Sequence, residues 1–215
     1  HTLILAGIWG SISSLSTLNL PKEETNFIVT IHFYEPLLFT HQGAGWIPKE
    51  YGTVGVIWPG PPETKLHPIL EASSVDWVQE WFIRYNCDFP DINPAGPRPI
   101  MEALDNAVAW SEKHGGVPLW IGEFGAYKKA DMQSRVKWTK FVREQAEVRN
   151  IPWAYWEFGA EFGVYDRKVQ DWNKGLLEAL IPIERKDHMT LFQRSESLID
   201  QSEDLCLKSQ IEFVE

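Results

Sequence analysis

The chain has 215 residues, enough for one substantial core or two small ones, and its 44% hydrophobic and 23% charged residues strike an ordinary globular balance that excludes wholesale disorder. No apolar stretch is long enough to span a bilayer, and the formal charge of −10 excludes the basic surface that nucleic acid requires. Two cysteines, Cys87 and Cys206, can form at most one bridge and have no metal-ligand spacing around them, so neither a disulfide framework nor a metal site is expected.

The chain runs from His1 straight into the apolar stretch Leu3–Gly7, with no initiator Met and no secretory signal pattern. The expectation is that an upstream segment was removed or never encoded. Thr2–Gly7 reads as a first strand. Phe27–Tyr34 reads as a second, rich in β-branched and aromatic residues. Period-two alternation puts Ile28, Thr30, His32 and Tyr34 on one face of it and Phe27, Val29, Ile31 and Phe33 on the other. The stretch from His41 to Pro68 is rich in Gly and Pro and too long for a plain connector, which marks a functional loop.

A helix from Ser74 carries the stripe Val75, Val78, Phe82 and Tyr85. Another opens at Pro99, carries Ile100, Leu104 and Val108, and ends before Gly115. Pro118–Glu123 is a third strand. Asp131 caps a helix reaching Val148. Trp153–Phe158 is a fourth strand and Gln170–Leu180 a fourth helix. Strands alternating with helices predict a parallel sheet. Four such units make half of an eight-fold β/α barrel, since a complete one takes about 250 residues. The fold class is therefore α/β, a partial TIM barrel over residues 1–182. Residues 183–215 have no Trp and a surplus of acid, and form a separate extension, either a docked helix, a contact arm or a disordered tail.

In a parallel barrel, the C-terminal strand ends gather around one cleft. His32 and Tyr34 end the second strand, Glu123 the third, and Trp156 lies near the end of the fourth. A carboxylate flanked by a phenol, an imidazole and an aromatic platform suits chemistry at a sugar anomeric carbon. The 11 Trp residues fit either core packing or sugar stacking. Taken singly, each of these residues has an ordinary structural explanation. The joint pattern is the specific signal.

The segments His32–Trp46 (HFYEPLLFTHQGAGW), Ile121–Gly125 (IGEFG) and Trp153–Phe158 (WAYWEF) strongly resemble the cellulases of glycoside hydrolase family 5, over about Leu3 to Pro182. The resemblance implies a secreted retaining endo-β-1,4-glucanase acting without a cofactor on a β-glucan. It implies that Glu123 is the nucleophile, that His32 and Tyr34 orient it, and that Trp9, Trp46 and Trp156 face sugar. Gly10 stands where the family usually has Asn. The family's general acid/base is a Glu following an Asn in the N-terminal half of its barrel, and no Asn-Glu pair occurs in this chain. Strands one to four of the family barrel have no counterpart here. The sequence leaves three alternatives: an inert or carbohydrate-binding fragment, two copies sharing a barrel, or a substitute acid such as Glu35 or Glu157. By strand parity each of those two is expected to face away from the cleft. A four-strand sheet has two unpaired edges, so a homodimer through those edges is also expected.

Overall fold

A computed structural model describes residues 2–23 and 25–182. Three parallel strands, β1 (Leu3–Ala6), β2 (Phe27–Phe33) and β3 (Leu119–Phe124), pair in the order β1-β2-β3. β1 aligns Leu3 with Phe27 and Ala6 with Thr30, and β2 aligns Val29 with Leu119. Helices α2 (Asp76–Cys87), α3 (Pro97–Lys113) and α4 (Met132–Val148) follow the sequence pattern, while the short α1 (Leu37–Thr40) was not expected and α5 spans Lys174–Leu180. The alternating strands and helices form a partial β/α barrel.

β2 shows why the sheet is two-faced. Val29, Ile31 and Phe33 are almost fully buried against the helices, whereas Ile28, His32 and Tyr34 on the other face are half-buried. Trp138 of α4 anchors the helix side, with its ring 6.3 Å from those of Phe33 and Phe124 and 6.2 Å from Phe39. Asp131 caps α4 as expected, its Oδ1 accepting the Ser134 N–H at 2.9 Å. On α2, Val78, Phe82 and Tyr85 are buried, and Val75 sits at the N-cap.

Two elements differ from expectation. Trp153–Phe158 is not a full strand. It makes one parallel bridge, Trp153 to Ile121, with Ala154 N–H donating to Ile121 O at 2.8 Å and Trp156 N–H to Phe124 O at 2.9 Å. Beyond Trp156 the chain curls away, because the Glu157 carboxylate gathers the N–H groups of Ala160 and Phe162. The expected helix from Gln170 begins only at Lys174. Asp171–Trp172 (β5) instead pairs antiparallel with Tyr165–Asp166 (β4), and the Phe158, Tyr165 and Trp172 rings cluster 5.3–5.8 Å apart. Aromatic cross-strand packing outweighs the helical pattern there.

The long loop after α1 is stapled down. Gln42 is fully buried and uses both ends of its amide: Nε2 donates to Phe39 O and Val56 O, and Oε1 accepts from Gly55 N and Val56 N. A single 3-10 turn, Lys49–Tyr51, interrupts it. Among the described residues no helix is long and apolar enough to cross a membrane. The expectations for residues 183–215 lie outside the described residues.

Candidate active site

The position of Glu123 depends on an irregularity between β2 and β3. Thr30 pairs with Trp120 and Ile31 with Ile121, but the next pair is His32 with Glu123. Gly122 is the extra residue of a bulge. A Cβ at Gly122 would collide with the Thr30 hydroxyl, so glycine is required there. The bulge turns Glu123 onto the same face as His32 and Tyr34. In a regular ladder His32 would meet Gly122, and Glu123 would follow Phe33 toward the helices.

On that face, the Tyr34 hydroxyl donates to Glu123 Oε2 at 2.8 Å, and His32 Nδ1 lies 3.4 Å from the same oxygen. The two side chains of the His32–Glu123 pair are about 30% and 26% exposed, open enough for a ligand to reach. Burial, reinforced by the hydrogen bond and charge of Glu123, pushes the Tyr34 phenol well above its usual value. Tyr34 therefore remains a proton donor toward the carboxylate at every working pH. Gly10, at φ +65°, packs flat on the His32 ring.

The cleft above Glu123 has a volume of about 430 Å³ and is lined by Tyr34, His41, Trp46, Trp156 and Phe162, among others. Trp46 and Trp156 are 56% and 46% exposed, with indole surface free to stack on a ring. Trp46 is braced edge-on by Tyr127 at 4.8 Å. Trp9 is not in this lining. Its side chain is 90% exposed, on a left-handed residue (φ 57°) one position before the glycine that supports His32. A second cavity of about 450 Å³ is lined by His32, Ser11, Ser13, Glu35 and Trp110, among others.

Two further carboxyls line the first cleft, and both are occupied. Glu157 accepts the Ala160 N–H at 2.9 Å and the Phe162 N–H at 3.1 Å, organising its own turn. Glu161 is gripped by Lys128, whose Nζ sits 3.0 Å from Oε1 and 2.8 Å from Oε2. That ammonium, assisted by the Tyr127 hydroxyl, holds the Glu161 carboxyl below the usual range. Glu35 lines the second cavity, where the surrounding protein raises its carboxyl although solvent still touches it. Sequence parity placed Glu157 away from the cleft, whereas the curl after Trp156 brings it to the wall. Sequence reasoning assigned no role to His41, Tyr127, Glu161 or Phe162. The signal for His41 was its place, seven residues after Tyr34, at the end of a short helix.

The family model described as cellulase (glycosyl hydrolase family 5) matches residues 1–162. Endoglucanase 3 of Fibrobacter succinogenes is 29% identical over 170 residues, covering 77% of this chain and 25% of the relative. Among solved structures, the endoglucanase Cel5A of Thermotoga maritima is 40% identical with a TM-score of 0.63, over 84% of this chain and 48% of that one. The cellulose synthase subunit Z of Clostridioides difficile is 30% identical with a TM-score of 0.61, covering 84% and 49%. The chain thus spans about half the length of these solved structures and a quarter of the Fibrobacter relative. Because that family model spans well over half of the sequence, the chain belongs to glycosyl hydrolase family 5.

Proposed function

We propose that this chain carries the nucleophile half of a retaining endo-β-1,4-glucanase. The observation that supports this most directly is the Tyr34–Glu123 hydrogen bond of 2.8 Å at the floor of a cleft walled by Trp46 and Trp156. Glu123 attacks the anomeric carbon and forms a glycosyl ester while the glycosidic oxygen departs. Tyr34 and His32 fix the attacking oxygen, and the two indoles hold the sugar faces. Cel5A of Thermotoga maritima has been solved with cellobiose and with mannotriose. By analogy the substrate is a β-1,4-linked glucan, with mannan the nearest alternative.

Retaining chemistry requires a second carboxyl about 5–5.5 Å from the nucleophile. Glu157 and Glu161 are engaged by backbone N–H groups and by Lys128, which favours an acid/base supplied from outside the described residues. Among those residues the outer edge of β1 has no strand partner, and Leu3 and Ile4 are exposed. This supports association of two copies along that edge. Light scattering at micromolar concentration should show a dimer, and a strict monomer would refute the association.

Glu123→Gln keeps the shape and removes the nucleophile, so hydrolysis of carboxymethyl-cellulose should collapse. Undiminished hydrolysis would overturn the assignment. The occupied state of Glu157 and Glu161 also favours a second reading, a sugar-binding fragment without cellulose turnover. An activated aryl cellobioside separates the two, because a good leaving group needs little acid assistance. Cleavage of the aryl substrate alone would mean a working nucleophile without its acid.

A further inference from the structure

The hydrogen bonds around Thr40 determine a proton position that heavy atoms alone do not reveal. Thr40 is fully buried at the end of α1. Its hydroxyl lies 2.5 Å from the Tyr34 carbonyl oxygen and 3.0 Å from His41 Nδ1. A carbonyl can only accept, so the single hydroxyl proton of Thr40 is committed to Tyr34 O. Oγ1 can then only accept from His41, and Nδ1 must carry the imidazole proton. Nε2 is left with a lone pair, has no partner among the described residues, and is not one of the enclosed unpartnered atoms.

The ring is boxed in. Tyr34 meets it edge-on at 4.8 Å, Phe162 at 5.5 Å and Trp46 at 6.4 Å, and His41 itself lines the cleft above Glu123. That burial pushes the imidazole down to about 4, so it is neutral at neutral pH. The Thr40 backbone carbonyl also accepts the Tyr127 N–H at 2.7 Å, tying the same residue to the loop that braces Trp46.

We infer that Thr40 is a positioning residue that locks His41 in its Nδ1–H tautomer, so that the imidazole offers the cleft an obligate acceptor for a sugar hydroxyl. The proposal rests on the glucanase reading for the identity of the donor, but not for the tautomer. An imidazole with the opposite tautomer would present N–H instead and select for an acceptor oxygen. Thr40 thus sets the polarity of that wall by holding one proton, while the same bond secures the backbone of the residue whose phenol reaches Glu123.

Long-range nitrogen–proton NMR correlation of the ring reads the tautomer with no ligand present. Nδ1–H in the unaltered chain, lost or mixed in Thr40→Val and restored in Thr40→Ser, supports the lock. Nε2–H in the unaltered chain, or an unchanged tautomer in Thr40→Val, overturns it. Cellobiose then serves as the probe. A change at Nε2 on titration, with roughly tenfold weaker binding to Thr40→Val and recovery in Thr40→Ser, supports the acceptor role. Equal binding by all three forms overturns that role. If the unaltered chain ignores cellobiose while the tautomer reads Nδ1–H, the glucan reading and the acceptor role fail and the lock stands.

Discussion

Gly10 and His32 are in direct contact: the glycine, at φ +65°, lies so close that an added Cβ would sit 2.7 Å from His32 Cγ. The loop after β1 therefore supports the ring that faces Glu123, and a side chain at position 10 would push that ring away. A residue with a Cβ would also pay about 1–3 kcal/mol for the left-handed backbone.

Gly10→Ala should accordingly lower both stability and turnover, the latter by about tenfold, through displacement of His32. A double-mutant cycle with His32→Ala checks the route. The two losses in turnover should be far from additive, since both remove the same contact. Additive losses would place the effect elsewhere.

Tyr34→Phe removes one neutral donor from a carboxylate, an interaction worth about 1.5–3 kcal/mol. The expected outcome is a kcat lower by roughly 10- to 100-fold with KM little changed, because the phenol touches the proposed nucleophile and leaves the aromatic walls intact. Steady-state kinetics on an aryl cellobioside measures this directly. A rise in KM alone would mean that Tyr34 binds sugar instead.

Arg135 is buried and fastens two loops at once. Its Nε donates to Ala126 O at 3.0 Å and its Nη2 to Phe162 O at 2.9 Å. Lysine keeps the charge but cannot span two carbonyls in a fixed fork. Arg135→Lys should cost about 2 kcal/mol in chemical denaturation and loosen the wall bearing Phe162. A variant as stable as the parent would show that one of the two bonds suffices.

Alkaline pH should destabilise the fold in a defined window. Burial raises the Tyr85 phenol from 10.0 to about 12. Between those values the unfolded chain has released this proton and the folded chain has not, so stability is intact below about pH 10 and falls as pH rises toward 12. Tyr34, raised for the same reason, acts in the same direction. Urea midpoints measured across that range should decline. Tyr85→Phe should flatten the slope while losing the bond from Ile57 N at 2.8 Å. Rising stability over the window would contradict the assignment.

Much of this was legible in the sequence. Alternation in Phe27–Tyr34 correctly separated the helix-packed face from the one bearing His32 and Tyr34, because a strand repeats every two residues regardless of context. Asp131 announced its helix because a cap is a local interaction. The misses are non-local. The shortened pairing of Trp153 reflects the turn that follows Trp156, and the late start of α5 at Lys174 reflects ring packing among Phe158, Tyr165 and Trp172, residues up to fourteen apart in the chain. The cleft position of Glu157 follows from a turn that its own carboxylate builds. Trp9 could be named from resemblance, but its exposed left-handed position comes from the turn into Gly10.

The register shift at Gly122 has a bearing on how this chain tolerates change. Swapping Leu119 or Ile121 for another apolar residue alters volume and little else. Losing one residue anywhere between Trp120 and Glu123 would rotate the carboxylate toward the helix side that Trp138 fills, away from Tyr34 and His32. Residue count along the six positions of β3, more than their chemistry, therefore keeps the Glu123 carboxylate on the open face of the sheet.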